Sequence, residues 1–397
     1  MRTLIISDLH LGSVSGSDVL RRTALRAPLL KALADVDRLV LLGDVLELRH
    51  GPPRDAMAAA RPFFEDLGRA LDERELIITA GNHDHALVEP WLARRGEEDE
   101  PPPLAVEQLL DPAQASPMLE RIAEWASPAR VGAAYPGLWV RPDVYAIHGH
   151  YLDCHLTVPT LERLSVGAMS RVLGRSAEAF GDVEDYEAVS APLFAWRDAV
   201  ARDSRTGDAL NGVAMVSAWR ALGGESASGS SGRIDRADSA KASARSSVLS
   251  RLRTRALVAG FPLAVAALNR AGLGPLRAEI SGGELRRAGL QAMGEVAARL
   301  GLGDAYVVFG HTHRAGPFPG DREHEWRGGH TAGTAGSGAR LVNAGGWIYA
   351  PVFLTSTPGE SPYWPGTCVV VEDSGPPLLR RLLLDRSHAE LRPPRPS

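Results

Sequence analysis

Five short apolar runs in this chain each stop abruptly at a cluster of Asp, His, Asn and Gly. Residues 4–7 precede Asp8, 39–42 precede Gly43-Asp44, and 76–79 precede Gly81-Asn82-His83-Asp84. Residues 144–147 precede His148-Gly149-His150, and 306–309 precede Gly310-His311-Thr312-His313. Two more runs lie at 340–342, before Asn343-Ala344-Gly345-Gly346, and at 368–371. Runs of about four aliphatic and β-branched residues bounded by Gly predict buried strands. Between the first three, 18–33 carries Val19, Leu20, Leu25, Leu29, Leu30 and Leu33 on roughly one helical face, with Pro28 a candidate break. Residues 55–71 do the same with Met57, Phe63, Phe64, Leu67 and Leu71. Strands alternating with helices predict an α/β sheet with right-handed crossovers. Ligand sites in such folds lie beyond the carboxyl ends of the strands, where every polar cluster falls.

From about 155 to 303 the pattern changes. Segments 161–173, 186–202 and 285–300 have helical periodicity, and 223–247 is low-complexity and reads as a mobile loop. The chain therefore divides into a core in two parts, 1–154 and 304–397, around a largely helical insertion at 155–303. Residues 96–103 (GEEDEPPP) read as an exposed acidic loop. The apolar stretch 256–268 follows Arg251, Arg253 and Arg255 and is too short to span a bilayer. It is either a buried helix–turn of the insertion or a lid or interfacial segment making peripheral contact with anionic lipid.

Composition narrows the classes. With 44% hydrophobic and 23% charged residues, the 397-residue chain is rich enough in apolar side chains to bury a core. The net charge of −4 and the lack of an aromatic-and-basic track disfavour a nucleic-acid partner. Cys154 and Cys368 have no CxxC spacing, and the opening residues have no signal-peptide pattern; both point to the cytoplasm. No feature of the sequence sets the oligomeric state.

The polar clusters carry the chemistry. Two divalent metals need hard oxygen and imidazole ligands arriving from several strand ends, with one carboxylate able to bridge. Asp8 and His10, spaced i and i+2, point to one side of an extended backbone. Asp44 and Asn82 each follow a glycine that lets the backbone approach closely, and an Asn carbonyl oxygen is a neutral ligand. His311 and His313 supply imidazoles, as does either His148 or His150. Oxygen and imidazole ligands suit Mn, Fe, Zn or Co. His83, next to Asn82 on an extended segment, points the other way, and Asp84 is placed to orient and charge its imidazole. Glu47 is either a hydrogen-bonding support for the site or the polar start of a helix.

Asp8-x-His10, Gly43-Asp44, Gly81-Asn82-His83-Asp84, His148-Gly149-His150 and Gly310-His311-Thr312-His313, in that order, resemble the calcineurin-like metallophosphoesterases. The resemblance covers 1 to about 150 and about 304 to 372. It implies a four-layer α/β/β/α sandwich and two metals, one on Asp8, His10, Asp44 and His313, the other on Asp44, Asn82, His148 and His311. It also favours His148 over His150, places His83 at the scissile phosphate as general acid, and puts Asn343 in a supporting turn. The segments SDLHLG (7–12), GDVLEL (43–48) and HGHYLD (148–153) look most like the UDP-2,3-diacylglucosamine pyrophosphatases. The expected activity is hydrolysis of a phosphodiester or pyrophosphate of lipid or nucleotide type by in-line attack of a metal-bridging hydroxide. The alternatives are a nuclease of the same superfamily and a non-catalytic scaffold with this fold.

Overall fold

The structure, a computed structural model, describes residues 1–202, 265–266, 268–270, 275–277, 282–328 and 338–393. The expected loop at 223–247 and most of the apolar stretch at 256–268 lie outside the described residues. No helix among the described residues is long and apolar enough to cross a membrane.

The strands are β1 (Thr3–Ile6), β2 (Arg38–Leu42), β3 (Glu75–Thr79), β4 (Glu107–Leu110), β5 (Arg130–Arg141), β6 (Val144–Ile147), β7 (Tyr306–Phe309), β8 (Arg340–Asn343), β9 (Thr367–Val371) and β10 (Leu378–Arg381). All seven apolar runs are among them. They form one mixed sheet in the order β10-β9-β1-β2-β3-β5-β6-β7-β8, with β4 on β5. Neighbours β1, β2, β3 and β5 are parallel, as are β6, β7 and β8.

β5 joins the two halves. Arg130–Ala134 pairs with β3 and the stretch from Gly137 to Arg141 with β6. Residues of both halves then share one apolar layer, in which Ile5, Val40 and Val369 meet Ala146, Val308 and Val342. Their chain neighbours turn outward, as the period of two along a strand requires. Leu4, Ile6, Leu39 and Leu41 pack into a cluster with α1 (Thr23–Ala32), α2 (Pro53–Leu71) and, after α3 (Glu89–Gly96) and α4 (Pro112–Ala115), α5 (Pro117–Trp125). Val307, Phe309 and Leu341 pack against α6 (Leu161–Val172), α7 (Val183–Arg202) and α8 (Gly282–Arg299). The four layers are therefore α/β/β/α, built from one continuous sheet folded at β5.

Among the described residues, α6, α7 and α8 form the outer layer over β6, β7 and β8, sharing that cluster with the sheet. In α2, Phe63, Phe64, Leu67 and Leu71 are fully buried, and each contributes about 1.5–3 kcal/mol. β5 has no counterpart in the sequence reading, because Gly132, Pro136 and Gly137 punctuate it like a turn. The irregular pairing of Glu107 with Pro136 and Gly137 shows how a proline fits there.

Candidate metal centre

The carboxyl ends of β1, β2, β3, β6 and β7 converge, and the turns after them carry the predicted ligands. These turns are strained. Asp8, His10, Asp44, His311 and His313 have φ between 47° and 63°, the left-handed region. For a non-glycine residue that costs about 1–2 kcal/mol. Five such residues at one site persist because the packed strands beneath them hold the backbone there and aim their side chains inward. Gly43, with φ of 77°, has no such freedom to change: a Cβ there would stand 2.5 Å from the His148 ring.

Three groups of ligand atoms result, each with its atoms within 4.8 Å of one another: Asp8, His10, Asp44 and His313; Asp44, His148 and His311; and, beside the first, His10, Glu47 and His83. Asp44 Oδ2 belongs to the first two, 3.6 Å from His10 Nε2 and 3.4 Å from His148 Nε2. Asp8 Oδ1 lies 3.1 Å from His313 Nε2. Asn82 joins the second group, its Oδ1 3.1 Å from His148 Nε2 and 3.0 Å from His311 Nδ1.

The far nitrogens decide the tautomers. His148 Nδ1 donates to the Leu42 carbonyl at 3.0 Å, His10 Nδ1 to Glu47 Oε2 at 3.0 Å, and His311 Nε2 to Asp153 Oδ2 at 3.0 Å. Carbonyl and carboxylate oxygens only accept, so the proton of each neutral ring sits there and the other nitrogen aims a lone pair into the cluster. Carboxylate oxygens, imidazole lone pairs and an amide oxygen thus converge in a buried space. Acceptors crowded together this way need cations between them, and the donor set suits a borderline or hard divalent metal. Turned over, the Asn82 amide would donate to His148, His311 and Asp44; a cation at the cluster calls for its oxygen inward.

The protonation balance agrees. Burial works to lower the pKa of His10 and His148, but Glu47 and Asp44 around the first, and Asp44 and Asp8 around the second, outweigh it and hold both at about 9. Burial likewise pushes Asp44 up, yet His148, His83 and His10 keep it well below the usual carboxylate range. In the metal-free protein the pocket gathers protons to balance its carboxylates.

His83 stands at the rim with its side chain 23% exposed. Its Nδ1 is 2.9 Å from Glu47 Oε1, and its Nε2 is 4.0 Å from Asp44 Oδ2. Glu47 therefore holds His10 with one oxygen and His83 with the other, which decides between its two readings: it supports the site. Burial, reinforced by Arg49, brings His83 down to about 4 against the opposing pull of Glu47 and Asp44.

The expected role of Asp84 is corrected. Its carboxylate accepts from the backbone amides of Gly81 (2.7 Å), Val45 (2.6 Å), Leu46 (3.1 Å) and Asp44 (3.2 Å). It ties the two ligand turns together and leaves His83 to Glu47. His150, the other candidate ligand from that strand end, is buried against Tyr151 and Phe194, with neither ring nitrogen hydrogen-bonded. Asn343 supports the last turn, donating to the Gly310 carbonyl and the Thr312 hydroxyl and accepting from Gly345.

Two residues were given no role of their own in the sequence reading, although Asp153 closes the HGHYLD segment. Asp153 orients His311, and Arg49 holds the Asn82 backbone carbonyl while its guanidinium lies 5.5 Å from the Phe194 ring. The cluster opens into a cleft of about 440 Å³ whose floor includes Asp44, Asn82, His83, His311 and His313.

Residues 1–176 match the family model described as calcineurin-like phosphoesterase. The match ends before His311 and His313, which the structure brings to the same site. No curated protein matches the chain.

Proposed function

We propose, from the premise that residues 1–176 belong to the calcineurin-like phosphoesterases, that this protein hydrolyses a phosphodiester or pyrophosphate at a dinuclear metal centre. The observation that supports it is Asp44 Oδ2, shared between two groups of ligand atoms. Asp8, His10, Asp44 and His313 would hold one divalent ion, and Asp44, Asn82, His148 and His311 the other; Mn, Fe, Zn or Co fits the set. When bound, two such ions supply an activated water for in-line attack and neutralise charge on the phosphoryl oxygens.

The protein's own groups complete the chemistry. Glu47 fixes the His83 ring through Nδ1, so Nε2 faces the cleft. With Nδ1 protonated, His83 donates from Nε2 only as imidazolium. Its low pKa in the free protein means that the negative charge of a bound phosphate must raise it before it protonates a leaving oxygen. Glu47, Asp153 and the Leu42 carbonyl hold three imidazoles against rotation.

Metal-stripped protein is assayed against bis-p-nitrophenyl phosphate and p-nitrophenyl phosphate, adding back Mn, Zn, Fe or Co, alongside Asp44→Asn. The expected result is metal-dependent release that falls at least about a hundredfold in the variant, since Asp44 serves both groups. Equal rates in the variant and the wild type would overturn the assignment.

A further inference from the structure

The group formed by His10, Glu47 and His83 is left over from the two that share Asp44. At its centre Glu47 is a buried carboxylate whose ion-pair partners, among the described residues, are all histidines. Its Oε2 lies 3.0 Å from His10 Nδ1 and 3.8 Å from His50 Nδ1, and its Oε1 lies 2.9 Å from His83 Nδ1. The Arg49 guanidinium is spent elsewhere, on the Asn82 carbonyl and the Phe194 ring. A buried carboxylate that no Arg or Lys neutralises calls for protonated imidazoles or a metal ion. His10 has no lone pair to give such an ion: its Nε2 serves the first group, and its one proton sits on Nδ1 and goes to Oε2. His50 is different. Its Nδ1 is shut off from solvent and has no hydrogen-bond partner.

Each carboxylate oxygen can accept twice. The Arg49 amide takes one place on Oε1, at 3.1 Å, and His10 takes one on Oε2. The second place on Oε1 goes to the His83 Nδ1 proton, which a metal ion would displace, and the second on Oε2 faces His50. Two ligand atoms on one tetrahedral ion stand about 3.3–3.5 Å apart. His83 is thus within reach of an ion set against the carboxylate, and His50 has only to close in with a side chain that is 26% exposed.

We propose that Glu47, His50 and His83 form a third divalent-cation site, filled when metal exceeds what the two groups sharing Asp44 take up. One carboxylate and two imidazoles suit zinc. Resting on the hydrolase reading, an ion there takes the nitrogen through which Glu47 steers His83 and so slows turnover, a brake set by metal supply.

Equilibrium dialysis of the stripped full chain against zinc alone counts ions without turnover. Wild type is expected to take up two ions tightly and a third at least about tenfold more weakly. His50→Ala leaves every ligand of the first two ions in place; it should keep those two and weaken the third at least about tenfold. Two ions only in wild type at millimolar zinc, or a third that His50→Ala does not weaken, overturns the site. Zinc is then raised over the same range during turnover of methyl phenyl phosphate, whose leaving oxygen needs a proton. The rate should fall severalfold as the third ion binds to wild type and hold steady in His50→Ala; a rate that holds in both overturns the brake. Three bound ions with no turnover at any zinc level would sink the hydrolase reading and leave the site standing, and turnover with two ions only would do the reverse.

Discussion

His83 concentrates the chemistry of single residues. Its Nε2 faces the cleft beside the two groups that share Asp44, and Glu47 fixes its ring through Nδ1. If it protonates the leaving oxygen, its loss matters in proportion to how badly the leaving group needs a proton. His83→Asn is expected to lower kcat by about 10²–10⁴ for an alkyl leaving group and far less for p-nitrophenolate. Equal losses for the two leaving groups would show that His83 binds phosphate without donating a proton. Asp84, three residues beyond Gly81, looked in the sequence like the natural partner of His83. Neighbouring residues in a tight turn diverge, however, and four unpaired backbone amides are a stronger claim on a buried carboxylate than one imidazole.

Among the elements, α7 has a role that its amphipathic pattern does not disclose. Glu187, buried on that helix, accepts from Tyr135 at 2.7 Å, Tyr151 at 2.5 Å and His85 at 3.3 Å. Those donors come from β5, from the turn after β6 and from the turn after β3, so one carboxylate ties the outer helix to two of the ligand-bearing turns. Glu187→Ala leaves three buried donors unpaired and is expected to cost about 3–5 kcal/mol in urea unfolding, whereas Glu187→Gln keeps an acceptor and should cost less than half of that. An alanine variant within about 1 kcal/mol of wild type would mean that packing alone holds α7 in place. The same paired comparison should show loss of bound metal tracking the alanine variant and not the glutamine one.

For the whole molecule, metal and proton compete for one charge balance. His10 and His148 stand at about 9 in the metal-free fold, above the ordinary 6.5. A pKa raised by folding contributes stability that is fully present below about 6.5 and is lost as pH rises through about 9. The stripped protein should therefore melt at falling temperature across that window, while metal affinity rises as the protons leave. Metal at a hundredfold excess over its Kd adds about 2.7 kcal/mol. Melting with and without EDTA at pH 6.5 and pH 9 checks this: the gap between loaded and stripped protein should widen with pH, and a gap that narrows would contradict it. The seven apolar runs, the ligand types and their attachment to strand ends were legible in the sequence, because strand periodicity and the Gly-Asp, Gly-Asn and His-x-His turns are local properties of the chain. Glu47 between His10 and His83, Asp153 behind His311, the fold of the sheet at β5 and the cleft above the cluster were decided only by tertiary structure. Glu47 lies 37 residues from His10, and Asp153 lies 158 from His311. Such partnerships depend on how separate strands pack side by side, and no local pattern of hydrophobic and polar positions encodes that distance.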